Sequence, residues 1–122
     1  MASHYRELKV WSMGIDLTLE AYRVTKTFPS SELYGLTNQI RRSASSIPAN
    51  ISEGKGRQTP KDFIHYLYMA RGSLLELETH LYSALRLGYM DKPTHENLDG
   101  ATTMLGRSLN ALIEAIKKRV GS

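Results

Sequence analysis

Apolar residues recur three and four positions apart along almost the whole of this 122-residue chain, and no stretch alternates apolar and polar residues far enough to make a strand. That period excludes sheet-built folds and leaves helices, whose ends are marked by proline, glycine and capping residues. The spacing predicts a first helix from about Tyr5 to Thr27, stopped by Phe28-Pro29. Ser31-Glu32 opens a second, with a stripe of Leu33, Leu36, Ile40, Ala44, Ile47 and Ile51, ended by Gly54 and Gly56. Thr59-Pro60-Lys61-Asp62 is a strong start signal: a threonine N-cap, proline at the first helical position and an acid in the positive first turn. The third helix carries Phe63, Leu67, Ala70, Leu74, Leu77, Leu81 and Leu85 to a Gly88 cap. After the turn at Asp91-Lys92-Pro93-Thr94, the fourth shows Leu98, Ala101, Leu105, Leu109, Leu112 and Ile116, and ends in Lys117-Lys118-Arg119. Short connections between long amphipathic helices predict an all-α, up-down-up-down four-helix bundle, one domain over residues 1–122.

The first helix has one stripe more than a bundle needs. Leu8, Trp11, Ile15, Leu19 and Tyr22 form one; Val10, Met13, Leu17, Ala21 and Val24 form another, roughly 200° away. The third helix repeats this weakly with Ile64, Tyr68, Leu75 and Tyr82. Surplus apolar surface marks an interface, so homo-oligomerisation through the outer faces of helices one and three is expected, with Val10, Met13, Leu17, Val24, Tyr68, Gly72 and Leu75 at the contact. Gly72 belongs here because a mid-helix glycine away from the core stripe suits close backbone approach. The alternative is a wide core face with scattered surface residues.

The second stripe passes through Pro48 in phase, so that helix is expected to continue, kinked, with Ser45, Ser46 or Asn50 satisfying freed backbone groups. Around this break lie Arg41, Arg42, Lys55 and Arg57. A functional reading gathers them with neighbouring serine and asparagine side chains into a cationic end that contacts nucleic-acid phosphates, Gly54 and Gly56 letting backbone N–H groups approach an anion. The alternative is an architectural kink with a glycine-rich exit. The formal charge of +4 is compatible with polyanion partners without requiring them.

Little points to catalysis or cofactors. The chain has no cysteine, no HExxH, no Glu-x-x-His pair at bundle-metal spacing, no GxSxG and no GxxxxGK[ST] loop. Glu76 and His80, four residues apart, read as an exposed ion pair. A non-enzymatic protein with no metal, no cofactor and no small-molecule substrate is expected. The absence of cysteine, of an apolar leader and of any membrane-length segment fits the cytoplasm.

FPSSELYGLTNQIRRSASSIPANISEGKGR (28–57), followed by DFIHYLYMARGSLLELETHLYSALRLGY (62–89), resembles the four-helix-bundle proteins encoded within intervening sequences of bacterial 23S ribosomal RNA genes. Phe28-Pro29, Glu32, Gln39 to Arg42, Ser46 to Ile51, Glu53-Gly54, Asp62-Phe63 and Gly72-Ser73 carry the likeness. Leu8, Val10 and Trp11 fit the family's opening. The resemblance implies a cytosolic bundle assembled into a closed homo-oligomeric ring, a pentamer. By analogy with a similarly folded retroelement accessory protein, it also implies binding of RNA or DNA. The rival expectation is a protein–protein interaction scaffold without nucleic-acid affinity.

Overall fold

A computed structural model describes residues 2–121, with side chains from His4 onward. Four long helices, α1 (Ala2–Thr25), α2 (Leu36–Lys55), α3 (Pro60–Arg86) and α4 (Lys92–Gly121), account for most of the chain, with one short 3-10 turn at Ser30–Glu32. No strand occurs among the described residues. Each helix packs on two neighbours, in the cyclic order α1, α2, α3, α4. Antiparallel directions follow from the contacts: Glu7 meets Lys55, Arg41 meets Thr25, Arg71 meets Asn110. Val10, Leu17, Ile40, Ile47, Leu67, Leu77, Leu105, Leu109 and Ile116 are among the side chains filling the core, each at most 3% exposed.

The caps are those expected at the start and end of α3. Thr59 Oγ1 accepts the Asp62 N–H at 3.1 Å, and Gly88 takes a positive φ of 80°, where a side chain would strain the backbone. Asp91 Oδ1 caps α4 by accepting the Thr94 N–H at 2.9 Å. Two expectations need correcting. The second helix begins at Leu36, because Pro29 leads into a separate 3-10 turn and Gly35 (φ −113°, ψ −116°) breaks the path, leaving Leu33 at the surface. In α4 the inward position is Thr102, not Ala101. Its hydroxyl donates to the Asp99 carbonyl, so burying it leaves no unpaired polar group.

Glu32 joins the two ends of the bundle's upper rim. Its Oε1 accepts the Leu36 N–H at 3.0 Å and its Oε2 accepts the Tyr89 hydroxyl at 2.8 Å, while Tyr89 packs on the buried Phe28 at 5.4 Å between ring centroids. The Leu36 amide, then the Tyr89 hydroxyl, hold the Glu32 carboxyl below its ordinary range; the same carboxylate raises the Tyr89 phenol.

Helix α2 does run through Pro48, and a neighbouring helix is what accommodates it. A Cβ built on Gly14 of α1 would sit 3.1–3.3 Å from the proline ring and its nitrogen, so only glycine lets α1 come this close without displacement. Pro48 leaves the Ala44 carbonyl without its helical donor. Thr18, one turn along α1 from Gly14, supplies one instead: its Oγ1 lies 3.2 Å from the Ala44 carbonyl and 2.8 Å from its own Gly14 carbonyl, one hydroxyl proton serving both. The residues expected to do this work bond elsewhere: Ser45 to Arg42, Ser46 to Ser43 and Asn50 to Ser46. Thr18→Val is expected to cost about 1 kcal/mol in chemical denaturation. In a Pro48→Ala background, where a backbone N–H at position 48 reaches the carbonyl, the loss should fall to less than half. An unchanged loss in that background would show that Thr18 does not serve this carbonyl.

Candidate functional site

The four cations singled out in the sequence do not form one site. Arg41 and Arg42 lie near the start of α2, Lys55 and Arg57 at its end, about 20 Å apart at 1.5 Å of rise per residue. Arg41 belongs to the upper half, where Nε donates to Thr25 Oγ1 at 2.9 Å and the guanidinium covers the Tyr22 ring at 4.6 Å. Arg42 is exposed on the outer side of α2. Lys55 Nζ lies 2.6 Å from Glu7 Oε1 and 3.4 Å from His4 Nδ1. Arg57 lies 2.8 Å from Glu53 Oε2 and 2.6 Å from the Tyr66 hydroxyl.

The glycine exit is no anion cradle either. Gly54 is buried because α3 crosses it: a Cβ there would meet Tyr66 Cβ at 2.6 Å and Phe63 Cδ1 at 3.0 Å. The Gly56 and Arg57 amides are taken by the Ser52 and Gly54 carbonyls.

A different basic surface emerges from the topology. Antiparallel packing brings residues 2–10, 53–63 and 112–121 to the same end of the bundle. Arg6 and Lys9 from α1, Lys55 and Arg57 from the end of α2, Lys61 from α3, and Lys117, Lys118 and Arg119 from α4 make eight cations there. Only Glu7, Glu53, Asp62 and Glu114 oppose them. The other eight Lys and Arg are matched by eight acids, so the whole formal charge of +4 sits at one end. Three separate stretches contribute, each of modest charge on its own, and only the pairing of helix ends sums them.

The apolar stripes of α1 exchange roles. Val10, Leu17, Ala21 and Val24 are buried in the core and so are not available to a second chain; Met13 is half-buried against it. The stripe left outside is the other one: Leu8 is 59% exposed, Leu19 64%, Tyr22 44% and Trp11 39%. The inward face is the one that also presents Gly14 and Thr18, because those residues admit Pro48. Trp11 and Leu8 border α2, lining with Ile51, Ser52 and Lys55 a groove of about 280 Å³.

On α3, Leu75 and Tyr82 are exposed, and Gly72 faces open space with nothing within 4 Å of a Cβ built on it. Tyr68 is half-buried, with Arg71 and Lys117 at 4.7 and 5.4 Å from its ring centroid. This apolar strip borders α4, as the Tyr82–His95 ring contact at 6.1 Å marks. One exposed apolar face thus lies on the α1/α2 side and another on the α3/α4 side, across the bundle.

Among the described residues no group of three His, Asp or Glu side chains converges at metal-ligand spacing. The Glu76–His80 pair is looser than expected: Nε2 of His80 lies 3.9 Å from the carboxylate, too far for a hydrogen bond, and is buried without a partner. No described helix is long and apolar enough to cross a membrane.

Four antiparallel helices, each resting on two neighbours, with a basic end and two uncovered apolar sides, define an all-α bundle of the up-down-up-down class. The chain belongs to the 23S rRNA-intervening sequence protein family, whose model matches residues 6–111. It is similar to a crystal structure of a protein of unknown function from the S23 ribosomal protein family of Bacteroides thetaiotaomicron, with 24% identity and a TM-score of 0.83. That likeness covers 89% of this chain and 98% of the other and speaks for the fold. No curated protein matches the chain.

The exchange of stripes has a direct check. Leu17→Glu places a charge in a dry core and is expected to destabilise the protein by roughly 4 kcal/mol or more. Leu19→Glu, on the outer stripe, should leave the fold and far-ultraviolet circular dichroism intact. Comparable melting of the two variants would overturn the inward assignment of Leu17.

Proposed function

We propose that this protein is a non-enzymatic, ring-forming bundle that binds RNA or DNA through its basic end. The observation that carries the nucleic-acid reading is the sorting of charge, with all of the formal excess gathered where α1 and α3 begin and α2 and α4 finish. Phosphate neutralisation by clustered lysine and arginine is the sequence-independent part of nucleic-acid affinity, and it weakens with salt as counterions are released. Of the four cations expected from the sequence, Lys55 and Arg57 belong to this end, joined by Arg6, Lys9, Lys61 and the α4 terminus.

Two unlike apolar faces on opposite sides of the bundle support assembly. A two-fold dimer pairs one patch with its own copy, whereas two different patches pair head to tail and generate a closed ring or an open fibre. Gly72 suits the receiving face, since a helix loses about 1 kcal/mol by holding glycine at an exposed interior position and no contact within this chain accounts for it. The family resemblance implies five copies.

Leu19→Glu and Leu75→Glu should each sediment as monomers, and an equimolar mixture should form pairs, because one intact face survives on each partner. Persistent assembly of both variants alone would exclude these faces, and failure of the mixture to pair would exclude the head-to-tail contact. For the basic end, fluorescence anisotropy of a labelled structured RNA at two salt concentrations should show affinity falling as salt rises. Lys9→Ala and Lys61→Ala should each make the log–log salt slope shallower by about one. Salt-independent binding, or none, would favour the alternative, a protein–protein scaffold. The observation on that side is that Lys55 and Arg57 already face Glu7 and Glu53.

A further inference from the structure

The basic end also carries flat side chains, and these bear on which form of nucleic acid it takes. Arg57, just past the end of α2, lays its guanidinium over the Tyr66 ring, 4.8 Å from the centroid, and donates to the Tyr66 hydroxyl. Glu53 at 2.8 Å offsets much of its charge, so Arg57 is a weak phosphate ligand. What it offers instead is a plane held in place by two partners, its side chain 43% exposed. His65 is exposed beside it, its ring 5.5 Å from that of Tyr66 and inclined at 76°. Lys61 stands one turn earlier on the same face of α3 as His65, with Asp62 the only acid adjoining it in the first turn.

Resting on the nucleic-acid reading of this end, we infer that its preferred ligand is an unpaired strand, with bases stacked on Arg57, Tyr66 and His65 and a flanking phosphate against Lys61. Base faces are hidden inside a duplex and available in single strands, loops and bulges, where aromatic rings and arginine planes receive them. A surface meant for duplex backbone gains nothing from an arginine already matched by a carboxylate; a stacking surface gains a rigid plane. The sequence drew attention to Arg57 as a charge, and the structure assigns it a different use.

The test compares a labelled twelve-nucleotide oligouridylate with a blunt twelve-base-pair RNA duplex, by anisotropy at two salt concentrations. The single strand should bind more tightly. Arg57→Lys, which keeps the charge and removes the plane, and His65→Ala, at an exposed position, should each weaken single-strand binding about fivefold or more. Duplex binding and the salt slope should stay as in the unaltered protein. Equal affinity for the two probes, or an Arg57→Lys variant indistinguishable from the parent on the single strand, overturns the stacking inference and leaves the basic-end reading standing if binding is salt-dependent. Absence of binding to either probe by the unaltered protein removes both.

Discussion

The contact between Gly14 and the Pro48 ring sets the rotation of α1, and most of what the surface offers follows from that rotation. Helix α1 carries two apolar stripes of similar size, and hydrophobic burial alone does not choose between them. The choice is steric and polar together. Pro48 projects a ring where α1 must pass and strips the Ala44 carbonyl of its donor; Gly14 makes room and Thr18 brings a hydroxyl. Both lie on the edge of the stripe of Val10, Leu17 and Ala21, so that stripe turns inward. Trp11, Leu19 and Tyr22 are left outside as a consequence. An interior feature of α2 thereby decides which face of α1 a second chain can reach.

The distribution of charge follows from topology in the same way. Up-down-up-down connections place the start of α1, the α2–α3 link and the end of α4 side by side. Each stretch holds a small cationic excess in the sequence, and the fold adds them. At the opposite rim two of the cations are absorbed into structure: Arg41 bonds Thr25 and covers Tyr22, and Arg23 pairs with Glu20 at 2.6 Å. There Glu32 and Tyr89 tie the α1–α2 turn to the α3–α4 turn. Many of the residues that carry the family resemblance, Phe28, Glu32, Pro48, Gly54 and Phe63 among them, are accounted for by this bracing and by helix approach, without any ligand.

Helix count, order and the caps at Thr59 and Gly88 were legible because each is a local event, written within a few residues by period or punctuation. The rotation of α1 was not. Counting apolar residues treats Val10 and Leu8 alike, whereas the deciding pair, Gly14 and Pro48, is 34 positions apart in the chain. Thr102 was missed for a related reason: a hydroxyl counts as polar in a periodicity, yet it enters the core when its own helix accepts its proton. The basic end is not visible along the chain because its cations come from three stretches that meet only across the helix ends. Arg41 and Lys55 looked like one cluster since they flank one motif, but fourteen helical residues hold them far apart.

The two proposed activities occupy different parts of the molecule, and this has a geometric consequence. The apolar faces run along the sides of the bundle, between α1 and α2 and between α3 and α4, while the cations crown one end. Side-to-side docking of copies covers the former and leaves the latter open. If the rotation axis of the proposed ring runs roughly along the helices, every copy presents its basic end to the same side. Each chain's surplus of four charges then adds to its neighbours' on one annular face, with Arg57, Tyr66 and His65 repeated around it. A strand too weakly held by one copy is retained by several, since each further contact is made at the high local concentration set by the first.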